Sequence, residues 1–198
     1  MKPKTTKSLS QLAPARMFPD WGSKLVWLAF LLTGDMSLGG DVVGEALEAH
    51  DPTAPFFEQW MSAWRRKLVI ARALGRVRLP LMTSISRVKL RVQNWTYEDQ
   101  LPPPTWSAGR EVTRAQFEDA VLAIDIFPRC ALLLRIFEKI PTEHAALLLN
   151  TDEELVESAT AMALNELAWN IAIGQDWSPT ETTTGALLVQ TQDAVLTQ

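Results

Sequence analysis

Apolar positions recur along this chain in steps of three and four, and the runs are broken by Pro, Gly and polar clusters. That periodicity predicts helices. The first pattern runs from Trp21 to Leu32, with Lys24 as its only charge, so this helix is expected to be buried on most sides. Thr33-Gly34-Asp35 ends it and starts the next, with Gly34 at the C-terminal cap and Asp35 or Ser37 at the N-terminal cap. A second pattern, about Ser37 to His50, turns Val42, Val43, Ala46 and Leu47 inward and Asp41, Glu45 and Glu48 outward. Gly39, Gly40 and Gly44 weaken it, since a Gly inside a helix costs about 1 kcal/mol against Ala. Beyond Pro52 and Pro55 a long third pattern, roughly Phe56 to Arg76, has a stripe of Phe57, Met61, Trp64, Leu68 and Ala71. Arg65, Arg72 and Arg76 share another face of it.

The character changes after Leu79. Pro80, Pro102, Pro103, Pro104 and Gly109 predict a linker over 80–111, in which Val88, Leu90 and Val92 fit a short strand-like or helical piece. Thr113 with Gln116 reads as a capping box for a helix that packs Phe117, Val121 and Ile124 inward. Three more helical patterns follow between Phe127 and Leu167. Pro128 suits a first helical turn, ahead of Ala131, Leu132, Leu134, Ile136 and Phe137. Pro141 opens a short pattern with Ala145, Ala146, Leu148 and Leu149 apolar, closed by Asn150, a residue that tolerates the left-handed conformation. Thr151 with Glu154 then predicts a capping box for a helix that turns Leu155, Val156, Ala159, Ala163, Leu164 and Leu167 inward. A short helix, a tight turn and a longer helix make either a helix-turn-helix or a plain helical hairpin of a bundle. The expected organisation is a loose arm (1–18), a helical module (19–79), the linker (80–111), a second helical module (112–173) and a polar tail (174–198), all-α throughout.

Charge is distributed unevenly. The chain has 198 residues and a formal net charge of −4, yet no Lys or Arg follows Lys139. Between Glu58 and Glu98 there is no acid, while Arg65, Arg66, Lys67, Arg72, Arg76, Arg78, Arg87, Lys89 and Arg91 all fall there. Such a run is either a solvated basic face or an electrostatic footprint for phosphates, with Trp60 and Trp64 placed to stack on unpaired bases. The single cysteine, Cys130, excludes an internal disulfide, fits a reducing cytosol and reads as a core residue. His50 and His144 have no partner pattern for a triad or a metal site. Asp152-Glu153-Glu154 reads as an anionic first helical turn rather than a metal site. No Gly-rich phosphate loop is present, so neither an enzyme nor a cofactor is expected. The longest apolar run, Leu25 to Leu32, is far short of the roughly 20 residues of a membrane span.

The order of residue types from Phe127 to Leu167 resembles region four of bacterial RNA polymerase sigma factors, in particular the extracytoplasmic-function group. Phe127, Pro128 and Arg129, then Leu133, Leu134, Arg135 and Glu138, then Ala146, Leu148, Leu149 and Asn150, and finally Val156, Ser158, Ala163 and Leu167 stand in that family's order. Leu25 to Leu47 looks like sigma region two, with its apolar helix, Thr33-Gly34-Asp35 and the acidic helix that follows. Trp60-Met61 and the basic helix look like that region's promoter-melting helix.

The resemblance implies a three-helix region-two bundle and a region-four helix-turn-helix joined by the Pro-rich linker. It implies a cytoplasmic transcription-initiation protein whose partners are core RNA polymerase, promoter DNA and an anti-sigma or other regulatory protein. It places Asp41, Val42, Val43 and Glu45 in the polymerase-contact helix. Trp60, Trp64, Arg65, Arg66, Lys67, Arg72 and Arg76 become the DNA-binding group, and Glu153, Glu154, Val156, Glu157 and Ser158 lie in the recognition helix. Two departures bear on this. Gly44 stands where the family has a glutamine, and Glu157, Ala159, Met162 and Leu164 stand where it has basic residues. An acid in that helix repels a phosphate backbone. The alternative is a sigma-derived regulatory protein whose acidic second module binds a protein partner rather than DNA.

Overall fold

The structure, a computed structural model, describes residues 20–48, 58–92 and 111–175, and the fold is all-α. The expected arm, residues 93–110 of the expected linker, the tail beyond Gln175, and His50 and Phe57 lie outside the described residues. The chain divides into two compact units, 1–77 and 78–198.

The first unit contains α1 (Asp20–Thr33), α2 (Met36–Glu48) and α3 (Glu58–Arg76), each packed on the other two. Leu25, Val26, Leu28, Ala29, Leu31 and Leu32 of α1 are buried, in keeping with its almost uncharged sequence. The turn at Thr33-Gly34-Asp35 closes one helix and opens the next. Gly34 sits at φ 79°, where only glycine is unstrained, and donates its N–H to the Phe30 carbonyl at 2.7 Å. Asp35, not Ser37, caps α2: its Oδ1 accepts from the N–H groups of Ser37 (2.8 Å) and Leu38 (3.0 Å).

Two sequence expectations about this unit are corrected. Gly39 is a packing requirement and not only a weakness, because a Cβ there would stand 2.9 Å from the backbone nitrogen of Phe30. It lets α2 approach the backbone of α1. The stripe assigned to α3 is rotated. Val69, Ile70, Ala73, Leu74 and the following Val77 are buried, Ala71 and Trp64 are exposed, and Leu68 is half-buried. The six residues from Leu68 to Leu74 other than Arg72 are all apolar, so the run fits more than one face and packing decides which one is inside.

The second unit contains α4 (Arg78–Val92), α5 (Arg114–Leu122), α6 (Ile126–Leu132) with a π-helical turn (Leu133–Phe137), α7 (Thr142–Leu149) and α8 (Glu153–Gly174). The linker expected from residue 80 therefore does not begin there. Pro80 is the third residue of α4, within the first turn, where a missing N–H costs nothing. Leu81, Ser84 and Val88 of α4 are buried in the unit's core. Ser84 fastens α4 to the start of α6: its hydroxyl donates to Asp125 Oδ2 at 2.8 Å and accepts from the Phe127 N–H at 3.0 Å. Asp125 caps α6 through the Ile126 N–H (2.8 Å) and accepts from Arg87 at 3.1 Å.

Helix α6 packs on α8, and every residue from Phe127 to Leu134 is buried. Ile136 and Phe137, expected in the same stripe, are exposed at 47% and 40%. The wider π turn moves them off the inner face, and Phe137 instead meets Phe117 of α5 with ring centroids 5.6 Å apart. Arg129 is buried and donates to the carbonyls of Leu122 (3.1 Å) and Ile124 (3.3 Å), which satisfies the end of α5. Burial pushes its guanidinium below the ordinary value, against the opposing pull of Cys130 and Asp125. Cys130 is a fully buried thiol outside any disulfide, and burial raises it to about 12, with Arg129 acting in the other direction.

Candidate nucleic-acid interface

Two surfaces answer to the residues singled out by sequence, one in each unit. In the first unit, α2 and α3 carry them. Asp41 is exposed on α2, whereas Val42 and Val43 are wholly buried and serve the core. Their contribution to any partner surface is to hold the helix that presents Asp41. Glu45 is half-buried and ion-paired with two arginines of α3: Arg72 Nη1 lies 3.1 Å from Glu45 Oε2, and Arg76 Nη2 bonds Glu45 Oε1. The expected partner-facing acid and two expected DNA-facing cations thus meet one another. Both arginines can share one carboxylate because they are one helical turn apart and face the same way.

The other half of α3 is different. Trp64 is 38% exposed, Arg66 and Lys67 are exposed, and Arg65 is half-buried. The backbone of Trp60 is in the first turn of α3 and its side chain lies outside the described residues. An exposed indole with an ammonium group one helical turn away can stack on a base while the cation meets a phosphate.

In the second unit a tight turn joins α7 to α8, an arrangement common to a helix-turn-helix and a plain helical hairpin. Asn150 ends α7 in the left-handed conformation at φ 54°, as its residue type predicts. The N–H of Asn150 bonds the Leu147 carbonyl (3.3 Å) and that of Thr151 bonds the Ala146 carbonyl (3.0 Å), which completes a Schellman closure. The expected capping box at Thr151 and Glu154 is corrected: Asp152 is the N-cap and accepts from the Leu155 N–H at 2.8 Å. Asp competes well for that position, and Thr151 is taken up by the closing turn.

Among the residues that the resemblance placed in a recognition helix, Val156 is fully buried, Ser158 is half-buried, and Glu153, Glu154 and Glu157 are exposed. Leu164, expected inside, is 44% exposed and continues the outer row of Glu157 and Ala161. Glu143, His144, Leu147 and Leu148 form the outer face of α7, with Leu147 78% exposed. This surface is acidic and apolar, and the sequence supplies no Lys or Arg to it after Lys139.

Sequence reasoning missed the role of α4. Its cations were counted with the basic run, but they serve the second unit: Arg87 pairs with Asp125 (3.1 Å), Arg91 with Glu166 (2.8 Å), and Lys89 lies 4.0 Å from Asp152. A signal was present in Leu81, Ser84, Ile85 and Val88, which are spaced for one helix face. Among the described residues no helix is long and apolar enough to cross a membrane. Compared with known proteins, the chain matches no family model, and no curated protein or solved structure is similar enough to it to count as a match.

Proposed function

We propose that the chain is a sigma-factor-like transcription-initiation protein that acts in the cytoplasm, binds core RNA polymerase and promoter DNA, and does no covalent chemistry. The observation that carries the reading is the exposed half of α3. Trp64 and Lys67, three residues apart on one face of α3, and the neighbouring Arg66 are all exposed on a three-helix unit whose residue order resembles the family's strand-capturing region. In this reading the indole stacks on an unpaired base, worth about 1–3 kcal/mol, and the cations contact phosphates on either side of it. Asp41, held outward by buried Val42 and Val43, belongs to the polymerase-facing surface. The tight turn between α7 and α8 supports the same family resemblance through its closing residue, Asn150.

One observation favours a second reading for the second unit. Its outer face presents Glu143, Glu153, Glu154 and Glu157 and exposed Leu147, a poor match to a phosphate-lined groove. On that reading the chain is a sigma-derived regulatory protein whose acidic module docks on a basic, partly apolar protein surface, such as that of an anti-sigma or other regulatory protein.

A gel-shift experiment with bacterial core RNA polymerase and promoter DNA separates the readings. Recruitment of promoter DNA to polymerase by the full chain supports the first. Polymerase binding without DNA recruitment supports the second. Binding to neither rejects both and leaves an unrelated helical enzyme or scaffold.

A further inference from the structure

We infer that Arg72 and Arg76 form a phosphate-binding site that Glu45 holds closed, and that the site opens when a partner takes the Glu45 carboxylate. The inference rests on the reading of α3 as a strand-binding helix and adds to it a means of control.

The geometry is that of an occupied anion site. Two guanidiniums one helical turn apart on α3 converge on the two oxygens of a single carboxylate from α2, Arg72 Nη1 on Oε2 at 3.1 Å and Arg76 Nη2 on Oε1. A phosphate offers the same guanidiniums oxygens at comparable spacing, and guanidinium forks bind carboxylate and phosphate alike. None of the three side chains is locked inside the unit: those of Arg72, Arg76 and Glu45 are 34%, 48% and 38% exposed. Ion pairs of that exposure are weak and exchangeable. The carboxylate therefore competes with phosphate for the arginines without committing them.

Placement couples two surfaces. Glu45 is on α2, one helical turn beyond exposed Asp41, on the side of the unit that the proposed function assigns to polymerase. A cationic group of a partner seated beside Asp41 is within reach of Glu45 as well. Transfer of Glu45 to that group leaves Arg72 and Arg76 without their carboxylate and adds their two charges to the side of α3 that also carries Arg65. The same acid that neutralises the helix in the free protein becomes part of the contact that activates it. Affinity for a strand then depends on whether the partner is present, although no backbone element has to move.

The test is a fluorescence anisotropy titration of a labelled single-stranded oligonucleotide with the full chain, at fixed salt. Glu45→Gln keeps the shape and removes the charge. Glu48→Gln, at the exposed end of the same helix, makes the same change of net charge at an acid that forms no ion pair with Arg72 or Arg76. The expected result is that Glu45→Gln binds about three- to ten-fold tighter than the unaltered chain, while Glu48→Gln stays within about two-fold of it. Adding Arg72→Gln and Arg76→Gln to Glu45→Gln should abolish the gain, with circular dichroism confirming that helix content is kept. Saturating core polymerase should bring the unaltered chain and Glu45→Gln to within about two-fold of each other. Equal binding by the unaltered chain and Glu45→Gln without polymerase overturns the closed site but leaves strand binding by α3 standing. A gain that persists undiminished with polymerase overturns the partner-driven opening. No binding by any variant, with or without polymerase, overturns both this inference and the proposed strand capture.

Discussion

Helix α4 directs Arg87, Lys89 and Arg91 at Asp125, Asp152 and Glu166 of its own unit, whereas in the first half of α3 Arg66, Lys67 and the indole of Trp64 are all exposed. Both helices come from one acid-free stretch of chain, and nothing in their composition separates them. What separates them is the company each keeps. The acids within reach of α4 belong to α6 and α8, the elements on which it packs. The lesson is that a basic run reads the same in sequence whether its cations pair with acids of their own unit, as in α4, or lie exposed next to an exposed indole, as in α3. Between these extremes lie Arg72 and Arg76, held by one shared carboxylate.

The comparison predicts that changes in α3 alter binding without altering stability, and that changes in α4 do the reverse. The largest effect belongs to α3. Reversing Arg65, Arg66 and Lys67 to Glu should weaken binding of a single-stranded oligonucleotide by more than about a hundred-fold, and should flatten the dependence of log K on log salt by about 2. Anisotropy titrations across a salt series measure both, and unchanged binding removes the strand-capturing role of this helix.

Next comes Ser84→Ala in α4. It strips a buried partner from Asp125 Oδ2 and from the Phe127 N–H, and should cost about 1–3 kcal/mol in urea denaturation with strand affinity unaltered. A loss of strand affinity without a loss of stability would reverse the assignment of the two helices.

How much of this was legible in the sequence depends on how local the cause is. Asp35, Gly34 and Asn150 act on their own backbone, and their residue types give the turns directly. The Cys130 core position follows from its apolar neighbours. Features that depend on a distant element were not legible. Pro80 and the alternating cations hid α4, whose helical identity is fixed by Ser84 meeting residues 41 and 43 positions away. The burial of Val69 and Ala73 in place of Leu68 and Ala71 is likewise set by the helices opposite. At the candidate site, Trp64, Arg66 and Lys67 were named from sequence, but the bond between Glu45 and Arg72 spans 27 residues and has no local signature.

The buried thiol gives a pH test of the second unit that α3 does not share. Cys130 is raised to about 12 in the folded chain, above its ordinary value of 9.0, by burial. Between those values the unfolded chain releases the proton and the folded chain keeps it. The contribution is therefore fully present below about pH 9 and is lost as pH rises toward 12, at up to about 1.4 kcal/mol per pH unit. Urea midpoints at pH 8 and pH 10 should show a fall that is smaller in Cys130→Ala, and an equal fall in both chains would place the thiol in contact with water.

Smallest are two glycine changes in α2, the helix that holds Glu45. Gly44→Ala meets nothing within 4 Å and should raise stability by up to about 1 kcal/mol, while Gly39→Ala drives a Cβ toward the Phe30 nitrogen and should lower it. Thermal melts of the two variants give the signs, and a stabilised Gly39→Ala would contradict the close approach of α1 and α2.

The most direct test of the central claim is purification of the tagged full chain with bacterial core RNA polymerase, followed by addition of promoter DNA. The account predicts that the polymerase subunits co-purify in proportion to the chain, that the complex captures a promoter with an opened strand, and that charge reversal at Arg65, Arg66 and Lys67 removes the capture but not the polymerase. Failure of the unaltered chain to bring down polymerase and to bind the opened strand would contradict it.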